Sequence, residues 1–132
     1  MTSNTTFSHT ITVVAADIDD LNHVNNAVYL QYIQDVATAH WYKNASESLT
    51  ESVVWVVRRH EVDYLKQAIL GDILTVTTWV GSHTSATWER YVEIHRQADN
   101  QLIAKAKSIW IPMDKLTMRV KRIEGSLLAC FE

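Results

Sequence analysis

The sequence predicts an α+β domain in which an antiparallel five- to six-stranded sheet wraps around one long central helix. One long helical pattern in the first third of the chain is followed by β-rich segments that continue almost to the end. The turns between those segments are short, and short connections join antiparallel strands. Because one helix covers only one face of such a sheet, the other face and the edges favour self-association.

The composition is that of one globular domain, and we expect a single domain over residues 1–132. A chain of 132 residues is long enough for one hydrophobic core and too short for two. Apolar residues make up 47% of it, with charges of both signs interspersed, unlike a disordered chain. The net charge of −3 provides no basic field, so we expect neither nucleic acid nor an anionic membrane as a partner.

We expect a cytoplasmic protein without membrane insertion. The one cysteine, Cys130, cannot form an internal disulfide, which argues against a secreted, disulfide-stabilised scaffold. The N-terminal segment Met1–Ser8 is polar and contains no apolar signal core. No apolar run approaches the roughly 18–20 residues that a membrane-spanning helix needs.

The first elements are a strand over His9–Ala16, a polar loop over Asp17–His23 and a helix over Ala27–Lys43. Asn25 or Asn26 can cap this helix, because short polar side chains accept hydrogen bonds from the first free N–H groups. Apolar positions recur at the helical spacing and share one face. The members of this face are Tyr29, Tyr32, Ile33, Val36 and His40.

The polar stretch Asn44–Ser52 ends the helix, and the segments that follow it read as strands. The predicted strands are Val53–Leu65, Ile73–Val80, Thr87–Arg96 and Leu102–Met113. In the third of these, one face carries Trp88, Val92 and Ile94, and the other carries Glu89, Glu93 and His95. Pro112 indicates a sheet edge or a strand end, because proline has no N–H to donate. The tail Arg119–Glu132 has no clear pattern.

The most informative segment runs from Asp17 to Tyr32 and reads D-I-D-D-L-N-H-V-N-N-A-V-Y-L-Q-Y. It resembles the signature D-x-D-x-x-G-H-V-N-N-x-x-Y-x-x-Y of the 4-hydroxybenzoyl-CoA thioesterase-like hot-dog family. The later stretches R-R-H-E-V-D-Y-L-K, G-D-I-L-T-V-T-T-W-V and A-K-A-K-S-I-W-I-P-M-D resemble that family's strands. The resemblance extends from about Ile11 to Arg122. It implies a hot-dog fold and a cofactor-free hydrolase for acyl-CoA or acyl carrier protein thioesters, with sites between the subunits of a homodimer or homotetramer.

By this resemblance, Asp19 matches the catalytic aspartate, and Asn26 matches the residue whose backbone N–H polarises the thioester carbonyl. The chemistry is reasonable, because a helix N-terminus offers unpaired donors and a partial positive charge to the developing oxyanion. Asp19 can attack as a nucleophile or activate a water. A free thiol has a pKa of about 8.5, so a thiolate leaves with little help from an acid. Asp17 is expected to shape the loop.

Two positions depart from the family pattern. Asn22 replaces the usual glycine, and asparagine tolerates left-handed backbone angles better than most residues. Gln34 stands where many members carry an acid, so we expect no second catalytic carboxylate on the helix.

Substrate contacts are expected within the motif, at His23 and Asn25, and at cations that could hold the phosphates of CoA. The candidate cations are Arg59, Arg119, Lys121 and Arg122. Arg58 and Arg59 are consecutive on a strand and should point to opposite faces. The turn Gly81–Ala86 has no arginine or lysine, which leaves the carrier open between CoA and acyl carrier protein. No histidine pair has metal-ligand spacing, so no metal is expected.

Two other functions are compatible with the fold. The first is hydration or dehydration of an acyl thioester, which in hot-dog relatives uses a histidine–acid pair in a motif that this sequence lacks. The second is a protein that binds acyl thioesters without reacting with them, because a fold does not by itself define a function.

Overall fold

The computed structural model describes residues 5–132, so that residues 1–4 of the polar segment Met1–Ser8 lie outside the described residues. The elements are β1 (Thr6–Thr12), a 3₁₀ turn (Ala15–Asp17), α1 (Asn26–Asn44), α2 (Glu47–Ser52), β2 (Val53–Tyr64), β3 (Ile73–His83), β4 (Trp88–Arg96), β5 (Gln101–Asp114) and α3 (Gly125–Ala129). The strands form one five-stranded sheet in the order β1-β3-β4-β5-β2, and every neighbouring pair is antiparallel. The predicted α+β class is confirmed.

Helix α1 packs its apolar face on the sheet and forms the core. Its buried residues are Tyr29, Tyr32, Ile33, Val36, Ala37, His40 and Trp41, which include every member of the predicted face. Across from them the sheet contributes fully buried residues such as Leu74, Ile94 and Ile103. Burying an aliphatic side chain of this size stabilises the fold by about 1.5–3 kcal/mol, so the helix is held by packing.

Two segments differ from the prediction near the helix. Strand β1 covers Thr6–Thr12 instead of His9–Ala16, because the chain turns at Ala15–Asp17, where the Val14 N–H donates to Asp17 Oδ2 at 3.2 Å. The polar stretch after α1 contains the short helix α2, whose N-cap Ser46 accepts from the Leu49 N–H at 3.2 Å. Leu49 is buried, which ties this helix to the core.

Strand β2 lies at one edge of the sheet and contains a bulge. Val57 pairs with Trp110 and Arg59 pairs with Ile109, so Arg58 is the extra residue. The bulge interrupts the strict alternation of side chains along β2, and the expectation that Arg58 and Arg59 point to opposite faces rested on that alternation. Both residues are exposed.

Pro112 lies on β5, which is an inner strand. The β4–β5 pairing ends at Trp88 and Trp110, so Pro112 stands beyond the last residue of β5 that pairs with β4. There the Lys121 N–H donates to the Pro112 carbonyl at 2.8 Å. Pro112 therefore lies near the strand end, where β5 has β2 as a neighbour but no longer pairs with β4, so both alternatives that the proline indicated apply.

The C-terminal tail, which the sequence left unassigned, closes the end of the fold next to the C-terminus of α1. Its buried residues are Ile123, Leu127, Cys130 and Phe131. They form a second hydrophobic cluster with Trp41, Leu49, Val53 and Trp88. None of the helices within residues 5–132 combines the length and apolar character needed to cross a membrane.

Candidate active site

The loop before α1 is fixed by Asp17. Asp17 Oδ2 accepts a hydrogen bond of 2.7 Å from the Tyr32 hydroxyl, and its backbone carbonyl accepts one of 3.0 Å from the Asn25 N–H. Tyr32 is buried, and burial together with Asp17 raises the pKa of its phenol, which therefore stays a donor. These contacts agree with the loop-shaping role expected of Asp17.

Asp19 is held by the turn that follows it. Asp19 Oδ1 accepts hydrogen bonds from the Leu21 N–H at 2.9 Å and the His23 N–H at 3.3 Å, and the Asp19 N–H donates to the His23 carbonyl at 2.9 Å. Within residues 5–132, no hydrogen bond reaches Oδ2. One oxygen of the carboxylate thus anchors the side chain, and the other is available.

Asn22 makes this turn possible. Its φ is +63°, in the left-handed region where glycine and asparagine are the most readily accommodated residues. The expectation that asparagine can replace the family's glycine here is confirmed.

The N-terminus of α1 leaves one backbone donor unused. Asn25 is the N-cap, and its side-chain oxygen accepts from the Ala27 N–H at 2.9 Å. Its carbonyl accepts from the Val28 N–H at 2.9 Å. The Asn26 N–H, the first of the helix, has no acceptor within the part of the chain that the structure describes. It is therefore a free donor at the positive end of the helix.

These groups line one open cleft with a volume of about 610 Å³. Four of the sequence-predicted site residues lie in its wall, namely Asp19, His23, Asn25 and Asn26. The opposite wall comes from the end of β2 and the chain after it, with Tyr64, Lys66 and Gln67. The Tyr64 hydroxyl donates to the Asn26 carbonyl at 3.4 Å, and Lys66 is an exposed cation at the cleft.

The sequence reasoning missed this second wall. Tyr64 and Lys66 stand in the stretch R-R-H-E-V-D-Y-L-K, which resembled a strand of the family but contained no chemical motif. Only the folded chain brings this stretch next to the loop that carries Asp19.

The four predicted phosphate-binding cations lie outside the cleft wall. Arg59 is on the exposed part of β2, where its guanidinium contacts Glu61 at 2.6 Å. Arg119, Lys121 and Arg122 follow the end of β5, and Arg122 pairs with Glu124 at 3.3 Å.

Arg119, Lys121 and Arg122 lie at the end of the subunit opposite to its own cleft. The far end of β5 pairs Asp114 with Val53, whereas the cleft end pairs Ala104 with Tyr64. At about 3.3 Å per residue, these ends are roughly 30 Å apart along the strand. A single subunit therefore does not bring Arg119, Lys121 and Arg122 to Asp19.

A five-stranded antiparallel sheet around one long helix, with a charged loop leading into the helix N-terminus, defines a hot-dog domain. A hypothetical protein of Staphylococcus aureus, solved in complex with CoA, superposes on it with a TM-score of 0.86 at 20% identity, over 98% of this chain and 84% of that one. The predicted hot-dog fold is confirmed. The sequence profile of the acyl-ACP thioesterase N-terminal domain matches residues 4–131, and the chain belongs to this family.

The chain is similar in sequence to two thioesterases. It is 28% identical over 103 residues to the chloroplastic palmitoyl-acyl carrier protein thioesterase of Arabidopsis thaliana, covering 78% of this chain but only 23% of the plant protein. It is 26% identical to the acyl-CoA thioester hydrolase YbgC of Shigella flexneri, covering 98% of each chain. The chain thus spans about a quarter of the plant enzyme and nearly all of the bacterial one.

Proposed function

We propose that this domain hydrolyses an acyl thioester of CoA or acyl carrier protein to the free acid and the thiol. The observation that carries the proposal is the cleft in which the Asp19 carboxylate and the unpaired Asn26 N–H lie together. A carboxylate and a positioned donor are the minimum that this reaction needs, because the thiolate leaves without strong acid assistance. Membership of a thioesterase family and the two thioesterase relatives support the same activity.

In the proposed reaction, the thioester carbonyl oxygen accepts the Asn26 N–H, which lowers the energy of the oxyanion formed during attack. Asp19 Oδ2 acts in one of two ways. It can attack the carbonyl carbon and expel the thiolate, leaving a mixed anhydride that water then hydrolyses. Alternatively, it can take a proton from a water that attacks the same carbon. The hydrogen bonds to Oδ1 hold the carboxylate in position for either route.

We further propose that the active unit is at least a homodimer, paired through the free edge of β2. This strand has β5 as its one neighbour in the sheet and carries the exposed apolar residues Val56 and Tyr64. An unpaired edge of this kind is a template for another strand. A two-fold antiparallel pairing of β2 with its copy would place the Val53 end of one subunit beside the Tyr64 end of the other.

Such a dimer would give the predicted cations a role. Arg119, Lys121 and Arg122 lie beside the Val53 end of β2, so the pairing would bring those of one subunit towards the other subunit's cleft. Together with Lys66, they would supply the positive charge that the phosphates of CoA, or the phosphate on acyl carrier protein, require. A tetramer would contain the same dimer. The cytoplasm is the proposed location, which the free thiol of the buried Cys130 supports.

The replacement Asp19→Asn tests the proposed chemistry. The amide oxygen can still accept from the Leu21 and His23 N–H groups, so the loop should keep its shape while the reactive carboxylate is lost. We expect kcat on acyl-CoA and acyl carrier protein substrates to fall by about 10²–10⁴-fold. A panel of both carriers with aromatic, short and long acyl groups provides the assay.

The matched control is Asp20→Asn, which makes the same charge change at the exposed neighbouring residue and should leave kcat within about twofold. Equal turnover by the two variants would refute the role of Asp19. A wild-type protein that binds acyl thioesters without hydrolysing any of them would be the non-catalytic binding protein. Release of an unsaturated or hydrated acyl thioester would instead identify a dehydratase or hydratase.

The replacement Val56→Lys tests the proposed dimer. It puts a charge on the free edge of β2, where pairing with another strand would bury it. We expect sedimentation velocity to give a dimer or larger for the wild type and a monomer for the variant. Val120→Lys is the control, because Val120 is 53% exposed and lies outside β2. A monomeric wild type would contradict the proposal.

A further inference from the structure

Arg90 is a cation buried in the core, and no described residue serves as its anionic partner. It lies on β4 on the same face as Trp88 and Val92 and is 6% exposed. Its Nη1 donates to His40 Nδ1 and to Thr78 Oγ1, both at 2.9 Å, and its guanidinium lies 5.1 Å from the centre of the Phe131 ring. No ion pair formed by residues 5–132 includes Arg90. Burial lowers the pKa of Arg90 to about 10, so it remains charged at neutral pH.

The guanidinium retains unused donors. A guanidinium has five N–H groups in a plane, and the two hydrogen bonds to His40 and Thr78 occupy those of Nη1. The Nε–H and the two Nη2–H groups have no hydrogen-bond partner among the described residues. A buried charge is costly unless it is paired, so these donors indicate a place where an anion would be stabilised.

The anion would lie in an aromatic cavity next to Arg90. This cavity has a volume of about 180 Å³ and is at the opposite end of α1 from the cleft. The residues that matter for its chemistry are Trp41, Trp55, Trp88, Trp110, Phe131 and Arg90. Tyr42, which is 63% exposed, lies at its opening to solvent.

The tryptophan rings supply the apolar wall of the cavity. The indole Nε1 of Trp88 donates to the Gly81 carbonyl at 3.1 Å, and those of Trp55 and Trp110 are buried within the wall, without a hydrogen-bond partner among the described residues. The one carboxylate of the wall belongs to Glu89, and it is engaged by Lys107 at 3.6 Å and by the Tyr91 hydroxyl at 3.1 Å. The cavity is therefore mainly aromatic, and Arg90 provides its buried positive charge.

We propose that the aromatic cavity binds an apolar carboxylate, with the carboxylate on Arg90 and the apolar part among the tryptophan rings. Planar two-point recognition of a carboxylate is what a guanidinium does best. The size is suitable, because a cavity of about 150 Å³ is enough to take up benzene. A benzoate-sized group fills the space that this cavity offers.

The carboxylate could come from two sources. One is a free carboxylic acid, which is also the class of product that thioester hydrolysis releases. The other is the far end of an acyl group that carries a second carboxylate; this source depends on the proposed thioesterase function. In the proposed dimer the cavity of one subunit would adjoin the cleft of the other, because Val53 and Trp55 line the cavity and Tyr64 lines the cleft.

Titration with benzoate and with benzamide, its neutral analogue of the same shape, tests the proposal. The tryptophans in the wall report occupancy by their fluorescence, so the measurement requires no turnover. We expect benzoate to change the emission of the wild type with saturation and to bind at least tenfold more tightly than benzamide. Arg90→Gln should abolish that preference, and Asp19→Asn should leave it unchanged. Equal binding of the two compounds, or no saturable signal from benzoate, would overturn the proposal.

Two milder variants keep the test informative if Arg90→Gln does not fold. Trp55→Phe and Trp110→Phe each retain an aromatic ring but remove part of the indole wall of the cavity, and each should weaken the binding of benzoate and of benzamide severalfold. Unchanged benzoate affinity in both would argue against the proposed binding mode.

A comparison of KM values then distinguishes a free carboxylic acid from the second carboxylate of an acyl group as the ligand of the cavity. Acyl-CoA esters of a dicarboxylic acid and of the monocarboxylic acid of equal length are assayed with wild type and the tryptophan variants. A rise in KM for the dicarboxylic ester alone would assign the cavity to the acyl group, and equal effects would assign it to a free acid. If the wild type hydrolyses neither these esters nor any thioester of the acyl panel, the proposed function fails, while the benzoate titration still decides the present proposal.

Discussion

The two ends of α1 carry cavities of opposite character. At its N-terminus, an open polar cleft combines a half-buried carboxylate with a backbone N–H, and the positive charge is the partial charge of a helix end. At its C-terminus, an aromatic cavity encloses a full positive charge on Arg90. The first arrangement suits a reaction at a small polar group, and the second suits recognition of a ligand by size and charge.

The two regions also differ in how the chain builds them. The cleft takes most of its chemistry from one continuous stretch, Asp17–Asn26, in which a turn positions Asp19 and the same loop begins the helix. The aromatic cavity is assembled from both α1 and α2, from strands β2 to β5 and from the C-terminal tail. A local motif can therefore identify the cleft, whereas the cavity depends on long-range packing.

A large effect on turnover is expected from removing the backbone donor at the cleft with Asn26→Pro. Proline is favourable at the first position of a helix, where its missing N–H would have no partner within the helix. Asn25 already has φ −60° and ψ 137°, which a following proline accepts. The helix should therefore form normally while the proposed oxyanion donor is lost. We expect kcat to fall by about 10²–10³-fold, as measured by steady-state thioester hydrolysis.

Asn26→Ala is the control for this prediction, because it removes the side chain and keeps the N–H. Its kcat should stay within a few-fold of the wild type. Benzoate binding in the aromatic cavity should be the same in both variants, which separates the two ends of α1. A proline variant that is folded and fully active would exclude the Asn26 N–H as the oxyanion donor.

The sequence was sufficient to predict the elements whose position depends on local patterns of residues. The helix was predicted to within one residue at either end, because the 3.6-residue spacing and the asparagine cap are both local signals. The grouping of Asp19, His23, Asn25 and Asn26 at one site followed from a single motif. Strands β2 to β5 were located to within a few residues from their composition and the turns between them.

What the sequence did not reveal depends on partners that are distant in the chain. The alternation of β4 puts Arg90 on the face of Trp88 and Val92, but its buried contacts, His40, Thr78 and Phe131, come from distant parts of the chain. Lys66 gains its position at the cleft from the sheet register that sets the end of β2 beside the helix. The bulge at Arg58 is likewise a feature of the β2–β5 pairing and leaves no local signal.

A smaller effect, on stability, is expected from Tyr32→Phe, which tests how firmly the cleft loop is tied to α1. The Tyr32 hydroxyl donates at 2.7 Å to the Asp17 carboxylate, and the phenyl ring of phenylalanine would fill the same space without this bond. A hydrogen bond to a charged group contributes about 1.5–3 kcal/mol, so we expect the free energy of unfolding to fall by that amount in urea titrations. Tyr42→Phe makes the same change at the exposed mouth of the aromatic cavity and should alter the free energy of unfolding by less than about 0.5 kcal/mol. Equal losses at both positions would mean that the Asp17–Tyr32 bond does not stabilise the cleft end of the helix.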